Sequence, residues 1–126
     1  MSIPNELKYT SDHEWVKMEG SDFVIGITDH AQDSLGDVTF VELPEIGARF
    51  EDKAVFGVVE SVKAASDLYM PVTGEIIEVN NSLNDSPEKV NSDPYGDGWM
   101  IKIRPDQAES LATLLDAGAY SSEVGD

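Results

Sequence analysis

Val59-Glu60-Ser61-Val62-Lys63-Ala64-Ala65-Ser66-Asp67-Leu68-Tyr69-Met70-Pro71-Val72-Thr73-Gly74 sets one lysine between two runs that read as strands. Upstream, Val55-Phe56-Gly57-Val58-Val59 is almost continuously apolar, as expected of a strand covered on both faces. Downstream, Leu68 to Met70 and Gly74 to Val79 supply two more strands. No other Lys or Arg occurs from Ala54 to Glu88. Lys63 is therefore expected at the tip of a hairpin, displayed as a covalent attachment point. A lysine amine attacks only when unprotonated and reachable, so a modifying enzyme needs it presented rather than packed. Ala64, Ala65 and Ser66 are too small to crowd an incoming active site. Val59 and Val62 are expected to pin the base of the hairpin, and Glu60 and Asp67 put the lone cation in an acidic setting. The residues alone leave the cargo open, and by composition an ordinary solvated lysine reads the same way.

Outward from this stretch the chain divides into short elements. Tyr9 to Met18 and the alternating Phe23, Ile25 and Ile27 make a hairpin around the turn Glu19-Gly20-Ser21-Asp22. Asp29 to Leu35 reads as a short helix with Asp29 as its cap and Gly36 as its stop. Val38 to Leu43 is a strand, Ser86-Pro87-Glu88 opens a brief helical turn, and Trp99 to Arg104 is another strand. Asp106 is expected to cap a final helix with Ala108, Leu111, Ala112 and Leu115 as its apolar stripe and Gly118 as its end. Residues 1–8 read as a flexible lead-in and 121–126 as a polar tail around a single domain. Leu43-Pro44-Glu45-Ile46-Gly47 and Met70-Pro71-Val72-Thr73-Gly74 share the pattern apolar-Pro-x-x-Gly. Either two similar strand–turn–strand units pack face to face, or two strand ends resemble each other by chance.

Composition narrows the function classes. Eight Lys and Arg face 25 Asp and Glu, a formal charge of -17. Such a surface repels nucleic-acid phosphates and anionic lipid and favours protein partners with basic docking patches. Cysteine is absent, which removes disulfides, thiolate ligands and thiol nucleophiles. The first residues carry no basic segment followed by an apolar core, so a cytoplasmic protein of bacterial type is expected, with a processed organellar form as the other reading. His13 and His30 are the only histidines, and His13 reads as a surface or half-buried residue at a strand start. No helical H-E-x-x-H, phosphate loop or calcium-loop spacing is present, so no catalytic residue or metal site is assigned.

The stretch around Lys63, followed by Pro71-Val72-Thr73-Gly74, resembles the lipoyl-lysine signature of the glycine cleavage H proteins. So do His13-Glu14-Trp15, Gly26-Ile27-Thr28-Asp29-His30-Ala31-Gln32, Val41-Glu42-Leu43-Pro44, Val90-Asn91-Ser92-Asp93-Pro94-Tyr95 and Gly98-Trp99, in the family's order. The resemblance implies a mainly β barrel-sandwich hybrid, the lipoyl/biotinyl fold, with two small sheets, short helices and a C-terminal helix. It implies lipoate in amide linkage on Lys63, within an attachment motif that includes Glu60, Ser61, Val62, Ala64, Ser66 and Asp67. It implies a monomeric carrier rather than an enzyme. A pyridoxal-phosphate glycine decarboxylase would load the arm with an aminomethyl group, a tetrahydrofolate-dependent aminomethyltransferase would unload it, and dihydrolipoyl dehydrogenase would take its electrons. A separate enzyme would attach the lipoate. Glu14 and Asp67, and with them Asp12, are the acids expected to line a cleft for the loaded, cationic arm. A biotin carrier, or an unmodified binding module on the same fold, are the other readings; biotin domains usually set the lysine between methionines, whereas Val62 and Ala64 flank this one.

Overall fold

Short strands with period-two patterning, punctuated by Gly and Pro, can bury an apolar face only by stacking sheet on sheet. The computed structural model describes residues 2–125; Met1 and Asp126, the outer ends of the expected lead-in and tail, lie outside the described residues. Its strands are β1 (Lys8–Tyr9), β2 (Glu14–Glu19), β3 (Asp22–Ile27), β4 (Val38–Glu42), β5 (Arg49–Phe50), β6 (Val55–Ser61), β7 (Ala65–Tyr69), β8 (Gly74–Val79) and β9 (Ile101–Pro105). Its α-helices are α1 (Asp29–Leu35), α2 (Ser82–Asp85), α3 (Lys89–Ser92) and α4 (Ala117–Val124). The strands form two antiparallel sheets, one in the order β1-β2-β3-β9-β8-β5 and one in the order β4-β6-β7. The sheets are thus unequal, six strands against three.

The two apolar-Pro-x-x-Gly segments perform the same task. Each carries the chain out of the three-stranded sheet, from β4 or β7, and into neighbouring strands β5 and β8 of the larger one. Gly47 N donates to Ile76 O at 2.7 Å and Ile76 N to Ala48 O at 2.8 Å, which ties the two exits together. Between the sheets lies the main core, with Phe23, Ile25, Ile27, Val41, Phe56, Val59, Leu68, Met70, Ile76, Met100, Ile101 and Ile103. A second cluster, built from Leu7, Tyr9, Trp15, Val24, Ala117 and Tyr120, covers the outer side of β1 to β3. Trp15 can lie flat there because its partner across the ladder is Gly26; a Cβ at that position would stand 2.7 Å from the indole.

Several expectations shift by a local cause. The cap of α1 is Thr28, whose Oγ1 accepts from Ala31 N, while Asp29 accepts from Gln32 Nε2 and from Ser2 N. β6 is covered on one face only: Phe56, Gly57 and Val59 are buried, but Val55 is exposed and Val58 is half-buried. The final helix lies later than expected. Residues Ala108–Thr113 form a 3-10 turn, and Leu114 is extended because Leu115 is bridged to Tyr9 by a pair of 2.8 Å backbone bonds. Asp116 then caps α4 by accepting from Ala119 N at 2.8 Å, so Gly118 lies in the first turn of that helix rather than at the end of an earlier one. Ser121 to Val124, read as tail, belong to α4. Among the described residues no helix is long and apolar enough to cross a membrane.

Candidate functional site

β6 and β7 pair as far as Glu60 with Ala65, leaving Ser61, Val62, Lys63 and Ala64 as the reversal. Two-residue hairpin loops usually need left-handed backbone. Neither Val62 nor Lys63 is among the residues of positive φ, so the turn is closed by other means. Ser61 N donates to Ala64 O at 2.7 Å, and the Ser61 hydroxyl accepts from Ala64 N at 3.1 Å and from Lys63 N at 3.3 Å. Val62 N donates to Asp37 O at 3.0 Å, docking the tip onto the start of β4. The tip is therefore held by backbone and hydroxyl contacts. The Val62 side chain, expected to pin it by packing, is 69% exposed instead; Val59 does the packing, in the core.

Lys63 is exposed on this tip. Its stem lies over Gly36, the residue that ends α1: a Cβ at Gly36 would stand 3.2 Å from Lys63 Cε. Asn91 fixes that junction. Its Oδ1 accepts from Val38 N at 2.8 Å, and its Nδ2 donates to Gly36 O at 2.8 Å and to Gln32 Oε1 at 3.0 Å.

Along its length the same helix walls a cleft of about 250 Å³. His30, Ala31, Ser34 and Leu35 line it from α1, Val59, Ser66, Asp67 and Leu68 from the hairpin, and Asp12, His13 and Glu14 from the start of β2. The three acids singled out in the sequence, Asp12, Glu14 and Asp67, are thus brought to one cavity. Of the residues expected to form an attachment motif, Ser66 and Asp67 reach it, while Glu60, Ser61, Val62 and Ala64 remain at or near the tip.

Glu14 dominates the electrostatics. It is 2% exposed, with Oε1 accepting from the Thr10 hydroxyl at 2.7 Å and Oε2 from Tyr69 N at 3.2 Å. Burial pushes its carboxyl up to about 8, and the two hydrogen bonds only partly offset that. At neutral pH Glu14 is therefore mostly protonated, and a cation placed beside it would draw it into the ionised form.

Neither histidine was expected in the cleft, yet both line it. His13 has left-handed backbone, φ 70°, in the turn between β1 and β2. Its ring lies 4.7 Å from that of His30, and its Nδ1 is 2.8 Å from Tyr120 Oη. Burial, and next the His30 ring, lower its proton affinity, against Asp12 and Glu123. The positions are separated by 17 and 107 residues, so no local spacing could have joined them. Among the described residues no three His, Asp or Glu groups are placed to hold a metal ion.

Known proteins resemble this chain throughout. A family model described as glycine cleavage H-protein matches residues 7–126. A glycine cleavage system H protein of Chromohalobacter salexigens is 59% identical over 97% of this chain and 94% of its own length. That of Chlorobium limicola is 56% identical over the whole of both. The crystal structure of a glycine cleavage system H protein from Mycobacterium marinum superposes with a TM-score of 0.90, at 38% identity, covering 98% of this chain and 100% of that one. The two-sheet architecture with its short helices and C-terminal helix is thus the barrel-sandwich fold expected from the sequence. A displayed lysine, a cleft joined to it by one helix, and likeness along the full length together place the chain in the glycine cleavage H-protein family.

Proposed function

We propose that this chain is the lipoyl-carrying shuttle of a glycine cleavage system, with lipoate joined through an amide to Lys63 Nζ. The observation that carries the reading is the position of Lys63. It is the one cation of the hairpin, exposed on a tip stapled by Ser61, and α1 connects it to a cleft lined by Asp12, Glu14 and Asp67. The residues fit the group. The lysine is reachable by an attaching enzyme, and the cleft offers apolar walls from Ile27, Ala31, Leu35, Val59 and Leu68 beside its polar groups. When bound, lipoate would supply a disulfide that is reduced as it takes up a one-carbon amine, and the dithiol left after that group is passed on would yield electrons as it is reoxidised.

The chain's own part is to hold, orient and shield. The rigid tip sets where the arm is anchored. Asp12, Glu14 and Asp67 offer acceptors to an ammonium, and a charge-assisted bond to a buried carboxylate is stronger than one at the surface. The apolar walls keep water from a labile carbon. Tethering raises the effective concentration of cargo at each partner. Those partners are a pyridoxal-phosphate glycine decarboxylase, a tetrahydrofolate-dependent aminomethyltransferase, dihydrolipoyl dehydrogenase and a lipoate-attaching enzyme. In this reading the chain is a carrier, with catalysis left to the partners, and it works in the cytoplasm as a monomer. Its acidic surface suits basic docking patches on them.

The test is intact mass from lipoate-supplied cells. The wild type should carry one lipoyl group and Lys63→Arg none. A wild type without lipoyl mass, or a variant that still gains it, overturns the assignment.

A further inference from the structure

Tyr120 on α4 is completely buried although it ends in a hydroxyl, and that hydroxyl has two partners. Tyr120 Oη lies 2.8 Å from Thr28 Oγ1 and 2.8 Å from His13 Nδ1. Thr28 is equally buried, and its Oγ1 already accepts from Ala31 N as the cap of α1. Its own proton therefore needs an acceptor, and Tyr120 Oη is at the right distance. If Thr28 donates to Tyr120, Tyr120 must donate to His13 Nδ1, and the imidazole carries its proton on Nε2. The reverse direction, His13 Nδ1–H to Tyr120 to Thr28, leaves the Thr28 proton without an acceptor inside the relay, at a site closed to water. A doubly protonated ring would force that same reversal. Tyr120 stays a donor at any physiological pH, because burial holds its hydroxyl up at about 12. Its ring is fixed by stacking on Tyr9, with centroids 4.7 Å apart and planes within 9°.

We infer that Tyr120 is a positioning residue of the cleft: supplied by Thr28, it donates to His13 Nδ1 and fixes the imidazole as the uncharged Nε2–H tautomer, a wall against which a cationic arm can rest. The inference builds on the proposed carrier function. The C-terminal helix thereby reaches the cleft without lining it. Around His13 stand Asp12 beside it, Glu14 on β2, His30 on α1, Asp67 on β7 and Glu123 on α4. Asp12 and Glu123 favour protonation; burial and His30 oppose it, and the hydrogen bond from Tyr120 adds to that opposition. A protonated His13 would put a second cation into a cleft meant for one.

The experiment uses the full-length lipoylated protein, wild type and Tyr120→Phe. Long-range ¹H–¹⁵N correlation of the histidine rings reports which nitrogen carries the proton. Wild-type His13 should show bare, hydrogen-bonded Nδ1 and protonated Nε2 from pH 7 to 8; the Nδ1–H tautomer in the wild type overturns the proposal, whatever the variant does. In Tyr120→Phe the His13 titration should move to higher pH. With the reduced arm loaded by formaldehyde and ammonia, the half-life of the loaded form at pH 6 should fall roughly three- to tenfold in the variant, and the two proteins should agree at pH 8.5. Equal half-lives at pH 6 also overturn it. Intact mass of the same samples separates the outcomes: absence of lipoyl mass defeats the carrier reading, whereas the wild-type tautomer still decides the relay.

Discussion

Replacing Glu14 by Gln should make the protein slightly less stable than wild type at pH 5 and more stable at pH 9. In the unfolded chain the carboxyl ionises near its ordinary 4.5; in the folded protein burial holds the proton to about 8. Between those values the folded state binds a proton that the unfolded state has lost, so stability falls as pH rises. The contribution is fully present below pH 4.5 and gone above 8. At roughly 1.4 kcal/mol per pH unit the upper limit is about 5 kcal/mol. Relaxation and water entering the open cleft reduce the realised effect to about 2–3 kcal/mol, because effective dielectrics in proteins exceed those of a dry interior. Gln does not titrate. Its amide can accept from only one of the two donors on Glu14, Thr10 Oγ1 and Tyr69 N, so the Thr10 hydroxyl must turn to accept instead. That rearrangement costs about 1 kcal/mol at every pH. The variant should therefore lie about 1 kcal/mol below wild type at pH 5 and about 1–2 kcal/mol above it at pH 9. Urea unfolding followed by tryptophan fluorescence at pH 5, 7 and 9 measures both. The other ionisable groups are the same in both proteins and largely cancel in the difference. A separation between the two proteins that stays constant with pH refutes the claim that Glu14 holds a proton in the folded state.

Two further substitutions test the scaffold beneath the site. Gly57→Ala places a Cβ 2.3 Å from the backbone oxygen of Glu42, in the ladder between β4 and β6, where no side chain can step aside; a loss of about 1–3 kcal/mol is expected, and a loss under about 0.5 kcal/mol would show that the small sheet slides freely. Asn91→Ala removes the acceptor of Val38 N and the donor to Gly36 O and Gln32 Oε1. It should cost about 1–3 kcal/mol and speed hydrogen exchange at the Val38 amide; unchanged exchange there would mean that Asn91 does not hold α1 to β4.

The hairpin tip that displays Lys63 was legible because everything that defines it is local. The isolation of Lys63, the small residues after it and the flanking strands all lie within about twenty positions, and strand patterning reports itself at period two. The boundaries of α1 were legible for the same reason, although the cap fell on Thr28 rather than its neighbour Asp29. The late start of the C-terminal helix was not. An Ala/Leu stripe at helical spacing lost to the bridge between Leu115 and Tyr9, a contact across 106 positions that no local propensity records.

The cleft belongs wholly to the tertiary structure. Sequence alone supplied Asp12, Glu14 and Asp67 as acids and Lys63 as an isolated amine between two strands, since a side chain's chemistry travels with its letter. Which acid keeps its proton depends on what covers it. Glu14 does so because β7 and Thr10 close over it, and no pattern along the chain carries that information. The same holds for His13. Its letter allows two tautomers and a charge near neutral pH, and only the fold, by setting the Tyr120 hydroxyl between Thr28 and Nδ1 of its ring, chooses among them.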